Sequence, residues 1–192
     1  MDAHPTVYIV GAGPGDPELL TVKAARLLKE SDVIVYDRLV SEKILAMVPS
    51  GTKQIFAGKA ARDHHMPQDE INQLLVSLAK SGQVVVRLKG GDPFIFGRGG
   101  EELQVLKEAG IECSVVPGIS SFYSVPETAG IPLTFRGLST AFGVFTGHEA
   151  DRTSGIAYDA AARIPTAVFL MGIKKLPEIS RQLIAHGRDP AT

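Results

Sequence analysis

The chain has 192 residues, a length that suits one large α/β domain or two small ones. Its 20 Lys and Arg residues nearly balance 21 Asp and Glu residues, which argues against a nucleic-acid-binding protein with a broad basic face. No apolar run approaches the roughly 20 residues that cross a bilayer, and the N-terminus lacks the basic and apolar regions of a signal peptide. We therefore expect a cytoplasmic protein that contacts neither nucleic acid nor membrane.

Strand and helix patterns alternate through the first half of the chain. Runs rich in apolar and β-branched residues predict strands at residues 6–10, 32–36, 83–88 and 112–116, and a further strand is predicted at 52–56, after a short helix. Apolar residues at helical spacing predict helices at 17–30, around 41–47, from Pro67 onward and at 101–109. This alternation predicts an α/β domain with a mainly parallel sheet, residues 1–116.

The pattern changes after Val116. A turn leads into a short helix that ends near Gly130, and strands are predicted at 139–146 and 166–171. Helices are predicted at 155–163 and 174–185. We therefore predict a second, smaller α/β domain at residues 117–192, and the pattern leaves the direction of its strands open.

The sequence shows no arrangement of residues typical of redox or metal chemistry. The single cysteine, Cys113, cannot form an internal disulfide, and its place in a predicted strand favours a buried structural thiol over a reactive one. His64 and His65 are best interpreted as part of a polar loop. No cluster with metal-ligand spacing is visible, so we expect no metal site.

The loop after the fourth predicted strand is the most informative segment. The run at 84–88 resembles a strand buried on both faces of a parallel sheet, and GGDPFIFGRGG follows at 90–100. Parallel sheets place ligand sites beyond the carboxyl ends of their strands. Gly90 and Gly91 would let a ligand approach the backbone, and Asp92 could accept from a ribose hydroxyl or an ammonium group. We therefore expect the ligand site here.

A glycine-rich turn at 11–15 also follows a strand and precedes a helix, as in dinucleotide-binding folds. The G-x-G-x-x-G spacing would place its third glycine at Asp16, however. Pro14 also removes a backbone donor that a phosphate would use. A nicotinamide or flavin site is therefore not expected, and a tight structural turn is the better interpretation.

Eight segments, in chain order, resemble the tetrapyrrole methylases. The first, VGAGPGDPELLT at 10–21, is similar to the N-terminal signature of that family. Segments 35–40, 58–59 and 87–102 narrow the resemblance to the uroporphyrinogen-III C-methyltransferases. The others are 116–121, 129–134, 146–148 and 170–172. The resemblance covers nearly the whole chain, from Val7 to about Gly187.

The resemblance implies two α/β domains with S-adenosylmethionine in the cleft between them, and a homodimer. It also implies methylation of two pyrrole carbons of uroporphyrinogen III to precorrin-2, for sirohaem and cobalamin, with S-adenosylhomocysteine as the other product. By their place in the family motifs, the implied cofactor-binding residues are Pro14, Gly90, Gly91, Asp92, Ile95, Ser120, Ser121 and Met171. Without the resemblance, Met171 would be interpreted as a core residue.

The implied catalytic residues are Asp37 as proton acceptor and Lys59 as proton donor. The sulfonium methyl group is already activated, so positioning should dominate the methyl transfer. A proton must leave the macrocycle after each methylation, so a general base is useful. Without the resemblance, Asp37 beside Arg38 would suggest a surface ion pair, and Lys59 a solvated side chain.

The implied substrate carries many carboxylates and needs local positive charge. Arginine suits bidentate carboxylate contacts, and Arg38 and Arg98 are the first candidates. Further basic residues beside the same loops are Lys59, Arg62, His64, His65, Arg87, Lys89 and Arg136.

The chain departs from the family pattern in two places. Phe135 stands where many relatives have a histidine, and the family pattern continues beyond Thr192 with further strands, so we expect the second domain to be incomplete. Two other interpretations stay open: a related methylase acting on another precorrin, on RNA or on a protein, and a non-catalytic, truncated cofactor-binding module. The segments at 37–40 and 94–102 favour the uroporphyrinogen methyltransferase.

Overall fold

The computed structural model describes residues 6–58, 66–148 and 155–192. The chain divides into two compact units, Met1–Ser121 and Phe122–Thr192, and each is described by itself. The predicted boundary after Val116 thus falls at the end of a strand of the first unit, and the turn that follows this strand belongs to the same unit.

The first unit is a parallel sheet with helices between its strands. In chain order its elements are β1 (Val7–Gly11), α1 (Val22–Glu30), β2 (Val33–Tyr36), α2 (Glu42–Leu45), β3 (Lys53–Phe56), α3 (Gln68–Lys80), β4 (Val85–Lys89), α4 (Gly99–Glu108) and β5 (Cys113–Val116). The strand order is β3-β2-β4-β1-β5, and every neighbouring pair is parallel. The predicted parallel α/β architecture is confirmed.

Each face of this sheet carries its own apolar core. Alternate strand residues such as Ile9 and Val35 join one core with α3, whereas Val10 and Ile34 join the other with α1. Successive side chains of a strand point to opposite faces, so a strand covered on both sides is apolar throughout. All five residues of β4 are buried, although two of them are basic.

The helix predicted at 17–30 forms as two separate pieces. Asp16 Oδ1 accepts a hydrogen bond from the Glu18 amide at 3.0 Å and starts a 3-10 turn at Pro17–Leu19. Thr21 Oγ1 then accepts from the Ala24 amide at 3.1 Å and starts α1. Two capping side chains close together begin two helices, because each satisfies amide groups at a helix N-terminus.

The second unit is built around two strands. Its elements are α5 (Ser121–Thr128), which leads into it, β6 (Phe142–Thr146), α6 (Tyr158–Arg163), β7 (Thr166–Leu170) and α7 (Leu176–Ala185). β6 and β7 pair in parallel, which settles the strand direction that the sequence left open. The strand predicted from 139 begins only at Phe142, because the Ser139 backbone pairs with Phe135 in a tight turn.

No helix within the described ranges is long and apolar enough to cross a membrane.

Candidate functional site

The turns after four neighbouring strands, β2, β4, β1 and β5, lie at the same edge of the first sheet. Two of them are joined directly. Ala12 donates its amide hydrogen to the Lys89 carbonyl at 2.7 Å, and the Gly13 and Gly91 backbones exchange hydrogen bonds of 3.1 and 2.8 Å. These backbone hydrogen bonds attach the loop after β4 to the glycine-rich turn after β1. They therefore fix the position of the loop at the edge of the sheet.

Two glycines, Gly11 and Gly118, allow the turns after β1, β4 and β5 to touch. A Cβ atom on Gly11 would lie 2.6 Å from Gly118 Cα and 2.6 Å from the Gly91 carbonyl oxygen. A Cβ atom on Gly118 would lie 2.3 Å from that same oxygen. Real Cβ atoms do not approach backbone atoms so closely, so these positions are restricted to glycine by packing.

Gly91 differs from these glycines because open space surrounds its Cα. Its φ is +67°, in the left-handed region, and an added Cβ atom would meet nothing within 4 Å. Gly90 has another reason to be glycine, since its Cβ atom would lie 2.5 Å from Leu39 Cβ. Of the two predicted glycines, therefore, Gly91 is the one with open space where a side chain would stand.

Asp92 joins two of the turns. Its Oδ1 accepts from the Phe94 amide at 2.8 Å, and its Oδ2 accepts from the Gly118 amide at 3.1 Å. Each carboxylate oxygen keeps a further lone pair, so Asp92 can still accept from a ligand hydroxyl group. The side chain both builds the site and remains able to bind a ligand.

The residues after Asp92 present apolar side chains to solvent under backbone strain. Phe94, Ile95 and Phe96 are 53%, 38% and 47% exposed. Phe96 has φ +51°, and Arg98 has φ +57°. Left-handed conformations of non-glycine residues cost about 1–3 kcal/mol and concentrate at functional sites. Exposed apolar side chains on a strained loop suit contact with a flat organic ligand.

The remaining predicted cofactor residues lie in both units. In the first unit, Pro14 is exposed in the turn after β1, Ser120 is buried in the turn after β5, and Ser121 begins α5. In the second unit, Met171 directly follows β7, is 55% exposed and has φ +57°. The interpretation of Met171 as a core residue is wrong, and its strained, exposed backbone is typical of a functional position.

Arg38 and Arg98, the two arginines predicted to bind substrate, are both exposed. Arg98 donates from Nε and Nη2 to the Glu101 carboxylate at 2.8 and 2.6 Å, so a substrate carboxylate would have to replace Glu101. The Arg98 hydrogen bonds lower the pKa of Glu101. Lys59, Arg62, His64 and His65 lie outside the described residues.

Two other basic residues predicted near the substrate, Arg87 and Lys89, are buried instead. Their side chains are 3% and 6% exposed, and both bind the fully buried carboxylate of Glu102. Arg87 Nε and Lys89 Nζ donate to Glu102 Oε1 at 3.0 and 2.9 Å, and Gln68 Nε2 donates to the same oxygen at 3.2 Å. Arg87 and Lys89 therefore add no exposed positive charge at this edge of the sheet, because Glu102 pairs with both.

Burial lowers the pKa of the Lys89 ammonium group, and the nearby Arg87 charge lowers it further. Contact with Glu102 opposes both effects, because an anion favours the charged form of lysine.

Asp37 contacts this buried cluster. Its Oδ2 lies 3.5 Å from Arg87 Nη2, and its Oδ1 accepts from the Leu39 amide at 3.0 Å. The side chain is 25% exposed. Asp37 thus pairs with Arg87 from β4, and not with its chain neighbour Arg38 as the sequence alone would suggest. Asp37 is therefore contacted on both carboxylate oxygens and stays partly open to solvent.

Within residues 6–58, 66–148 and 155–192, no three His, Cys, Asp or Glu side chains lie close enough together to hold a metal ion.

The fold is that of an α/β protein with a candidate ligand site at the carboxyl edge of a parallel sheet, over glycine-rich turns. Residues 6–192 match the profile of the Tetrapyrrole (Corrin/Porphyrin) Methylases, and the chain belongs to that family.

Among solved structures, the chain is similar to uroporphyrin III C-methyl transferase from Thermus thermophilus. One structure, of the native form, is 46% identical with a TM-score of 0.82 and covers 96% of this chain and 78% of that one. Another, complexed with S-adenyl homocysteine, is 45% identical with a TM-score of 0.81 and covers 96% of this chain and 73% of that one.

Among curated proteins, a siroheme synthase from Methylobacillus flagellatus is 52% identical over 96% of this chain. The chain spans about 40% of the length of that relative.

Proposed function

We propose that this chain transfers methyl groups from S-adenosylmethionine to two pyrrole carbons of uroporphyrinogen III, giving precorrin-2 for sirohaem or cobalamin synthesis. The observation that carries the proposal is the 45% identity to a uroporphyrin-III C-methyl transferase solved with the demethylated cofactor. The open backbone at Gly91, on the edge where parallel sheets bind ligands, supports it. The proposal concerns methylation alone, because the curated relatives are much longer than this chain.

S-adenosylmethionine would supply an activated methyl group, so the protein's main task is to hold donor and acceptor in line. We propose that the cofactor lies against Gly91 and is positioned there by contacts with Gly90 and Asp92. Pro14, Ile95, Ser120, Ser121 and Met171 complete the proposed cofactor contacts. Glycine at 91 is required on this proposal because a side chain there would occupy the open space that the ligand uses.

Asp37 would accept the proton that the macrocycle loses after each methylation. The carboxylate is fixed by the Leu39 amide and by Arg87, which restricts its orientation before substrate arrives. Lys59, as proton donor, stays a prediction that lies outside the described residues. Arg38 and Arg98 would bind substrate carboxylates through their exposed guanidinium groups.

The test is transfer of a labelled methyl group to uroporphyrinogen III, with cofactor affinity measured by calorimetry. Asp37→Asn should lower turnover by about 10²- to 10⁴-fold, the usual contribution of a general base, and leave cofactor affinity unchanged. Asp159→Asn is the matched control, since Asp159 is an exposed residue of the second unit that pairs only with Arg163 among the described groups.

Each alternative predicts a different result. Transfer to a later precorrin, with none to uroporphyrinogen III, would identify another methylase of the family. Cofactor binding without any transfer would identify a binding module. Full turnover by Asp37→Asn at saturating substrate would exclude the proposed base.

We also propose that the protein forms a homodimer, in agreement with the resemblance. Exposed apolar side chains on residues 125–142 of the second unit, Val125, Ile131, Phe135, Leu138 and Phe142, offer a surface for a second copy. The cytoplasmic location and the cleft between two domains stay predictions.

A further inference from the structure

We infer that Glu102 is a positioning residue for Asp37 and acts through Arg87. The inference rests on the proposed function, in which Asp37 accepts the proton. Glu102 itself is fully buried and cannot reach a ligand at the solvent edge. Its effect on Asp37 must therefore pass through the groups between them.

The contacts of the Arg87 guanidinium show how this happens. Its Nε donates to Glu102 Oε1 at 3.0 Å, and its Nη1 donates to the Val35 and Leu88 carbonyl oxygens at 3.3 Å each. These contacts fix the plane of the guanidinium group and leave Nη2 directed at Asp37 Oδ2, 3.5 Å away. Without Glu102, Nε would lose its carboxylate partner, and the two carbonyl contacts of Nη1 would remain to orient the group.

The cluster is an unusual feature for a purely structural role. Buried ion pairs contribute little to stability compared with apolar residues of the same size, because removing charges from water is costly. Glu102 Oε2 is buried and has no hydrogen-bond partner among the described residues, so the site does not even satisfy its own carboxylate. Such a costly arrangement beside a functional carboxylate is better explained by a role in the reaction.

The charges around Asp37 determine what each substitution does. Of the described residues, β4 contributes Arg87 and Lys89, α4 contributes Glu102, and the turn of Asp37 itself contributes Arg38. Asp37 and Lys89 also interact electrostatically. Glu102 neutralises one of two buried cations, and its loss would expose Asp37 to an uncompensated positive charge.

Substitutions of opposite charge should therefore shift the protonation of Asp37 in opposite directions. Glu102→Gln should move the acidic limb of the pH profile of kcat/KM to lower pH, by about one unit. Lys89→Met removes a cation and should move the acidic limb to higher pH. In the double variant the acidic limb should return toward its wild-type position. Glu108→Gln, an exposed position on the same helix, is the matched control and should shift nothing.

A second measurement does not depend on activity. The pH titration of the Asp37 carboxyl carbon, observed by NMR in aspartate-labelled protein and assigned with Asp37→Asn, should show the same two opposite shifts. If Glu102→Gln fails to fold, Lys89→Met still tests whether the charges of the buried cluster act on Asp37, and an unchanged midpoint in that variant would overturn the inference.

The outcomes separate the two proposals. Unchanged midpoints in Glu102→Gln and Lys89→Met, with Asp37→Asn inactive, would overturn the role of Glu102 and leave the base in place. Opposite shifts in the NMR titration without methyl transfer by the wild type would support the positioning and reject the proposed function. Shifts in the same direction in both variants would indicate general damage and overturn the inference.

Discussion

Two glycines of the first unit, Gly91 and Gly110, adopt nearly the same backbone conformation in different surroundings. Their φ angles are +67° and +70°, and an added Cβ atom would meet nothing within 4 Å at either position. Only Gly91 lies on the proposed cofactor site. Gly91→Ala and Gly110→Ala should both lose about 1 kcal/mol of stability, because left-handed φ strains any residue with a Cβ atom.

The two variants should differ in cofactor affinity. Gly91→Ala should weaken S-adenosylmethionine binding by tenfold or more, as an estimate of about 1.4 kcal/mol for one misplaced contact, and Gly110→Ala should not change it. Chemical denaturation and calorimetry measure the two effects separately. Equal affinities in the two variants would remove Gly91 from the cofactor site.

Cys113 supplies a pH-dependent prediction. Burial raises the pKa of its thiol from 9.0 to about 11, so the folded protein should react slowly with thiol reagents at pH 8 and the unfolded protein quickly. The unfolded thiol ionises first, so the stability linked to Cys113 is fully present below pH 9 and falls as the pH rises to about 11. Free energies of unfolding, compared with those of Cys113→Ala from pH 8 to 11, should show this loss.

Arg87 and Lys89 show how far the sequence predicts the contacts of individual residues. The β-branched run of β4 correctly predicts a strand buried on both faces, and residues two apart on a strand share a face. Two buried cations on one face require a buried anion, which is a sequence signal for Glu102. The sequence does not say which of the many acidic residues supplies it, because that depends on how α4 packs against the sheet.

At the scale of elements, Asp92 connects the loop after β4 to the turn after β5. Asp92→Asn keeps an oxygen that can accept from the Phe94 amide, but the NH2 group that replaces the other oxygen cannot accept from the Gly118 amide. We expect a loss of about 1 kcal/mol in stability from the broken link, together with weaker cofactor binding.

Asp189→Asn is the control for Asp92→Asn. Asp189 accepts from the Ala191 amide in a similar local turn of the second unit, without any link between elements. Hydrogen exchange should become faster at the Gly118 amide in Asp92→Asn and remain unchanged there in Asp189→Asn. Unaltered exchange at Gly118 would show that Asp92 does not join the two elements.

Element types were more predictable than element boundaries. Four strands of the first unit follow from their apolar runs, and the half-polar β3 forms where a strand was predicted, so all five parallel strands are present. The helix predicted from Pro17 and the strand predicted from residue 139 differ from the structure, because capping by Thr21 and the turn at Phe135–Ser139 depend on local hydrogen bonds that periodicity does not show. The approach of three glycine backbones was equally hidden, because it joins turns distant in the chain.

At the scale of the whole molecule, the proposed homodimer depends on the exposed apolar residues of the second unit. Leu138→Glu should dissociate a dimer that buries this surface, since a charge placed in an apolar interface loses its hydration. Leu138 is 79% exposed, and Val22, on the first unit, is 88% exposed and serves as the control. Sedimentation equilibrium should show monomers for Leu138→Glu and dimers for Val22→Glu.

A wild-type protein that sediments as a monomer at micromolar concentration would contradict the homodimer. Dimers in both variants would place the interface elsewhere.

The contact between Gly11, Gly91 and Gly118 has a consequence for how the protein folds. The three glycines come from distant parts of the first unit, so the proposed cofactor surface does not exist until β1, β4 and β5 have all assembled. A partly folded chain would therefore have little affinity for the ligand. S-adenosylmethionine at a hundred times its Kd should then raise the unfolding free energy of the first unit by about 2.7 kcal/mol, and it would act as a reporter of completed folding.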